Sequence, residues 1–133
     1  QLTKGLPVIK STLRLDSLSN LYNGEVLEVK QLRDKSVSAF SGIANPNDFR
    51  KLLEKSGMRL VHYQPFPDHH EYTLNDIKHI EDSARKSGAT FILTTEKDAV
   101  KINSNSTTLP FYKVALEMEI LEGREIFNQQ VLS

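Results

Sequence analysis

The run Asp68-His69-His70 sets three titratable side chains in a row, behind the stiff approach Pro65-Phe66-Pro67. A histidine can take or give a proton near neutral pH, and an adjoining carboxylate can orient it and raise its pKa. All three side chains can also ligate metals. Adjacent residues rarely aim at one ion, however, and no further His/Asp cluster accompanies them. The plain alternative is a solvated loop that caps a helix. His62 and His79, placed within a strand and on a helix, read as structural. A second run, Thr94-Thr95-Glu96-Lys97-Asp98, gathers hydroxyls, two carboxylates and an ammonium on one turn. Lys97 suits a phosphate or an ion pair with a neighbouring acid, while Thr95 and Asp98 suit a helix cap. A third, Gly42-Ile43-Ala44-Asn45-Pro46, fits a strand-to-helix turn with Asn45 as cap and Pro46 in the first helical position. Its backbone amides would suit an anionic group.

These runs need elements to position them, and the pattern supplies a series. Leu13 and Leu15, then Tyr22-Asn23-Gly24-Glu25, then Val26-Leu27-Glu28-Val29 predict a β-hairpin, because Asn-Gly tolerates the positive φ of a tight turn. A short strand at 37–41 leads into a helix with Phe49, Leu52 and Leu53 on one face, ended by Gly57. A strand at 58–66 follows. Thr73 with Asp76 resembles a capping box, opening a helix with Leu74, Ile77, Ile80 and Ala84 on one face. Thr90-Phe91-Ile92-Leu93 reads as a strand covered on both faces. A short helix runs through Val100 to Ile102, and Asn103 to Thr108 is a polar loop. Tyr112 to Ile120 alternates as a strand with one wet face, which could lie antiparallel at an edge. The last ten residues read as a short helix.

Residues 37–121 thus read β-α-β-α-β-α-β, which predicts a mostly parallel, three-layer, Rossmann-like α/β sheet with flanking helices, preceded by a two-stranded hairpin. The expected division is a linker with the hairpin over 1–35 and an α/β lobe over 36–133. In such sheets ligands bind outside the carboxyl ends of the strands, and all three unusual runs fall there.

Composition removes several classes of function. Lys+Arg and Asp+Glu both number 17, giving zero formal net charge, so neither a basic nucleic-acid footprint nor a polybasic membrane tail is expected. The absence of cysteine excludes disulfides, thiol catalysis and Cys-based zinc sites. With 38% hydrophobic and 26% charged residues the chain can build a core. No apolar run approaches the roughly 18 residues of a membrane span, and no signal peptide is visible. The six glycines stand at 5, 24, 42, 57, 88 and 123, so neither Gly-x4-Gly-Lys-Ser/Thr nor Gly-x-Gly-x-x-Gly occurs. Gln1 at the start, rather than Met, fits a processed chain or a piece of something larger.

Taken together, Phe40-Ser41-Gly42-Ile43-Ala44-Asn45-Pro46 with Phe49, Phe66-Pro67-Asp68-His69-His70, and Thr94-Thr95-Glu96-Lys97-Asp98-Ala99-Val100-Lys101 resemble the C-terminal part of the tetraacyldisaccharide 4′-kinase family. The resemblance spans residues 36–120, and the preceding hairpin is similar to the ribbon linking that family's two lobes. It implies an ATP- and Mg-dependent phosphotransferase acting on the 4′-hydroxyl of a tetraacyldisaccharide 1-phosphate in lipid A synthesis. The location it implies is the cytoplasmic face of the Gram-negative inner membrane. ATP and Mg would be held mainly by an N-terminal P-loop lobe, which would also carry most of the lipid-binding surface and the membrane association. The smaller C-terminal lobe, to which this chain corresponds, would close over the nucleotide and, lacking a P-loop, be inactive alone.

By the same resemblance His69 would reach across the cleft and work with an Asp of the other lobe near the sugar hydroxyl, with Asp68 steadying it. Gly42, Asn45, Thr95, Lys97 and Asp98 are the candidates for cofactor contact, and no metal ligand is assigned. Ala44 stands where the family more often has Gly, which argues against a required positive φ there. Two other functions compete. One is a stand-alone nucleotide-binding-like module without catalysis. The other is a metal-dependent Asp-His-His phosphoesterase, which would need Asp-rich ligand motifs on other strands.

Overall fold

A computed structural model describes residues 11–102 and 108–120. Residues 15–115 form one compact unit; residues 1–14 and 116–133 group as a second, most of which falls outside the described residues. So do most of the polar loop expected at 103–108 and the helix expected in the last ten residues.

The described elements are β1 (Ser11–Asn20), β2 (Val26–Glu28), β3 (Ser36–Ser41), α1 (Pro46–Lys55), β4 (Arg59–Pro65), α2 (Leu74–Lys86), β5 (Phe91–Thr95), α3 (Glu96–Ala99) and β6 (Phe111–Ile120), with a 3-10 turn at Val29–Leu32. They form one six-stranded sheet in the order β2-β1-β6-β5-β3-β4. β3 is parallel to both β4 and β5, β5 is parallel to β6, and β1 and β2 form the antiparallel hairpin. This is the mostly parallel α/β sheet that the alternating pattern predicts.

Side-chain alternation sends successive residues of β3 to opposite faces. Phe40 joins Ile92, Phe111 and the α2 residues Ile77, Ile80 and Ala84 in one buried cluster. On the other face Tyr63, the register partner of Ala39, meets Phe49 of α1 with ring centroids 6.2 Å apart. The two long helices therefore cover opposite faces, giving three layers. The bonds of the helix ends are local. Thr73 and Asp76 form the predicted capping box on α2, and Gly57 and Gly88 take positive φ just past the C-termini of α1 and α2.

Several expectations are corrected. β6 is not an antiparallel edge strand: it lies inside the sheet between β5 and β1, parallel to β5. Alternation reports the faces of a strand and says nothing about its neighbours within the sheet. Nor is its near end wet on one face, since Phe111, Tyr112 and Val114 are buried and Lys113 is half-buried. Leu74 does not join the α2 core stripe: it is 76% exposed, in the first turn of the helix. The short helix expected through Ile102 ends at Ala99 and continues as a turn. The hairpin forms as predicted and belongs to the same sheet, where Leu21 N–H donates to the Phe111 carbonyl at 2.9 Å.

Phe40 is fully buried and meets Phe66, Tyr72 and Phe111 with centroids 6.3, 5.3 and 6.0 Å away. Phe40→Ala should lower stability to urea unfolding by about 3–5 kcal/mol, the usual cost of truncating a core aromatic. A loss below about 1 kcal/mol would contradict this packing.

Candidate functional site

β5, β3 and β4 are adjacent and parallel, so their carboxyl ends open on one side of the sheet. The structure thus brings the three chemistry-bearing runs together. Gly42 leaves β3, residues 66–70 leave β4, and Thr95 to Asp98 close β5 and open α3. From β3 the chain moves outward to β4, and from β5 it moves the opposite way to β6. Ligand crevices of open α/β sheets form at such reversals.

Here the reversal is bridged by a buried carboxylate. Asp98 is 1% exposed. Its two oxygens accept the Gly42 backbone N–H at 3.1 and 3.2 Å, the Tyr72 hydroxyl at 3.0 Å and the Thr95 hydroxyl at 2.5 Å. Thr95 Oγ1 in turn accepts the Asp98 N–H at 3.1 Å, capping α3. A carboxylate this deep is tolerable only with such partners, and each bond to a charged group is worth about 1.5–3 kcal/mol. Gly42, Thr95 and Asp98 therefore direct their polar groups at one another.

Gly42 is required here for space rather than for backbone freedom, since its φ is not among the positive ones. A Cβ on it would stand 2.9 Å from the Pro67 carbonyl oxygen, 3.1 Å from the Tyr72 hydroxyl and 3.2 Å from Asp98 Oδ1. Ala44 also avoids positive φ, as its side chain predicts. The Gly42 carbonyl accepts the His69 N–H at 3.2 Å, and the Ser41 carbonyl accepts the Phe66 N–H at 2.7 Å. Next to this seam the Ser41 and Tyr63 hydroxyls are hydrogen-bonded, and burial raises the Tyr63 pKa.

The two adjacent histidines divide. His69 is left-handed, at φ 62°, with a side chain 70% exposed and its Nε2 3.7 Å from Asp68 Oδ2. That exposed pair adds little stability, so the backbone holds the loop. His70 is anchored: its ring stacks on Phe66 at 4.6 Å, its Nε2 lies 2.9 Å from Asp76 Oδ2, and its carbonyl accepts Lys101 Nζ at 3.1 Å. Among the described residues no three His, Asp or Glu side chains are grouped as a metal-binding set.

Asn45 and Lys97 are the two cofactor candidates whose side chains stay exposed. Asn45 caps α1 through its carbonyl, which accepts the Asp48 N–H at 3.2 Å, and its side chain makes no cap bond. The sequence reading missed Tyr72. Burial first, and then the charge of Asp98, raise its pKa well above the ordinary phenol value, so the hydroxyl stays a donor. The available signal was a tyrosine inside a polar loop, whose hydroxyl needs a partner if the ring is buried.

Two outcomes follow from this geometry. Gly42→Ala should lower stability by about 1–3 kcal/mol, the range for forcing atoms into a packed site; unchanged chemical denaturation would contradict the close approach. Asp76 carries a lowered pKa, because the Thr73 backbone N–H and then the His70 ring donate to it. A lowered folded-state pKa contributes stability above the unfolded value and loses it as pH falls through the folded one. Asp76→Asn should therefore be less stable than wild type at pH 7, with the gap closing as pH drops below about 4. A gap unchanged across that range would contradict the assignment.

The tetraacyldisaccharide-1-P 4′-kinase family model matches residues 1–133. A curated tetraacyldisaccharide 4′-kinase of Syntrophus aciditrophicus is 32% identical over 132 residues, covering 98% of this chain and 35% of that protein. One from Desulfotalea psychrophila is 51% identical over 78 residues, covering 59% of this chain and 22% of the relative. The chain spans about a third of the length of the first of these relatives. Among solved structures, LpxK of Aquifex aeolicus in complex with ATP shares the fold with a TM-score of 0.55 and 23% identity, over 92% of this chain and 35% of that one. The match across the full sequence places this chain in the tetraacyldisaccharide-1-P 4′-kinase family.

Proposed function

We propose that this chain works as the C-terminal lobe of a tetraacyldisaccharide 4′-kinase and presents His69 to the cleft where phosphate is transferred. One observation carries this reading. His69 stands exposed at the carboxyl ends of the parallel strands, on backbone held by the Gly42 carbonyl. An exposed imidazole on rigid backbone suits a group that must reach a substrate bound by another part of the protein.

Phosphoryl transfer is chiefly positioning and charge stabilisation. In this reading His69 accepts a hydrogen bond from the 4′-hydroxyl of the acylated disaccharide. It takes that proton as the oxygen attacks the γ-phosphorus of ATP and ADP departs. Asp68 steadies the imidazole. The exposed Lys97 and Asn45 would meet the nucleotide's anionic groups or ribose, while Gly42, Thr95 and Asp98 frame the wall behind them. In this reading magnesium would be held by the P-loop lobe of the complete kinase and would supply charge neutralisation for the phosphates. Residues 1–35 connect the two lobes through the β1–β2 hairpin. The complete enzyme would work at the cytoplasmic face of the inner membrane; among the described residues no helix is long and apolar enough to cross a membrane.

His69→Ala in the complete kinase should lower kcat by about 10²–10⁴-fold, the range for losing a general base, with little change in melting temperature. Near-normal turnover would overturn the role of His69. The isolated 133-residue chain should fold yet transfer no phosphate from ATP to the lipid disaccharide. Measurable transfer by the isolated chain would overturn the two-lobe account.

A further inference from the structure

We propose that Tyr72 is a positioning residue for His69: its hydroxyl, anchored on the buried Asp98 carboxylate, fixes the loop from which His69 projects. The proposal rests on the reading that His69 acts in the cleft.

Tyr72 and His69 lie on one short connection between β4 and α2. The Tyr72 ring is half-buried, with its centroid 5.3 Å from Phe40, 5.2 Å from Phe66 and 4.9 Å from His70. This cage holds the ring, and the hydroxyl adds a directional anchor by donating to Asp98 Oδ1 at 3.0 Å. The same carboxylate accepts the Gly42 N–H, and the Gly42 carbonyl accepts the His69 N–H. Asp98 is therefore held by the loop on one side, through Tyr72. On the other side it holds the residue to which the His69 backbone is tied.

The remaining contacts suit this arrangement. His69 occupies a left-handed conformation that a non-glycine residue keeps only where its surroundings enforce it. Its own side chain does little of the enforcing, being exposed and 3.7 Å from Asp68. The loop instead is fastened before and after it, by Phe66 N–H on the Ser41 carbonyl and by Lys101 Nζ on the His70 carbonyl. Tyr72 is the link that ties this fastening to Asp98. Without its hydroxyl, Asp98 loses a donor, and the loop loses its side-chain bond to the carboxylate.

The test uses the complete kinase and Tyr72→Phe, which keeps the ring and removes the hydroxyl. Steady-state kcat and KM for ATP and for the lipid disaccharide are measured in the wild-type and His69→Ala backgrounds, with amide hydrogen exchange across residues 67–72. The expected result is a kcat lowered by about tenfold, since a small misplacement of a catalytic group costs turnover. KM for ATP should stay within about twofold, because the substitution leaves the exposed nucleotide-facing groups untouched. Exchange across the loop should be faster, and no further loss should occur when His69 is already alanine. A Tyr72→Phe enzyme with normal kcat, beside a crippled His69→Ala enzyme, overturns this proposal alone. So does a loss that persists in full in the His69→Ala background. Normal turnover of His69→Ala overturns both the reading of His69 and this proposal with it.

Discussion

A single buried carboxylate holds together the end of the sheet where the three chemistry-bearing runs meet. Asp98 stands where the chain reverses direction between β3 and β5, 1% exposed, bound to the Gly42 amide and to the hydroxyls of Tyr72 and Thr95. Two segments remote in sequence, at Gly42 and Tyr72, converge with the local Thr95 on one pair of oxygens. Losing any one partner would leave a desolvated charge incompletely matched, which is costly in a dry interior. Such an arrangement favours one geometry of the loops over near alternatives. The crevice that open α/β sheets offer to ligands is filled at its base by this carboxylate, and the exposed groups stand above it.

That division explains the behaviour of the candidate residues. They separate into a buried or half-buried frame and an exposed rim. Gly42, Thr95, Asp98, Tyr72 and His70 belong to the frame; Asn45, Asp68, His69 and Lys97 belong to the rim. The frame costs the chain side-chain freedom, and the apolar cage of Phe40, Phe66 and Tyr72 offsets that cost by burying aromatic surface. The rim has few contacts of its own and depends on the frame for position. In the proposed reading, such a frame keeps the exposed His69 fixed while the lobe closes over a substrate held elsewhere.

Much of this was legible in the residues. Asn45-Pro46, Thr73 with Asp76 and Thr95 with Asp98 marked three helix starts, because caps are local chemistry between residues a few positions apart. The alternation of strands and helices gave the sheet and hence the convergence of the three runs. The place of β6 was not legible, since Tyr112, Val114 and their neighbours encode faces rather than sheet order. The burial of Asp98 was also hidden. Its cap to Thr95 is local, but its bonds to Gly42 and Tyr72 span 56 and 26 positions, and nothing short-range announces them. The same lack of local signal concealed Tyr72 and the different fates of His69 and His70.

The central claim is that the Asp98 frame delivers His69 to the reacting hydroxyl. The most direct measurement is a crystal structure of the complete kinase with a non-hydrolysable ATP analogue and the acylated disaccharide. The account predicts a His69 ring nitrogen within about 2.6–3.2 Å of the 4′-hydroxyl, directly or through one water, with the Asp98 bonds to Gly42, Tyr72 and Thr95 intact. A closed complex in which His69 stays in solvent, remote from that hydroxyl, would contradict it.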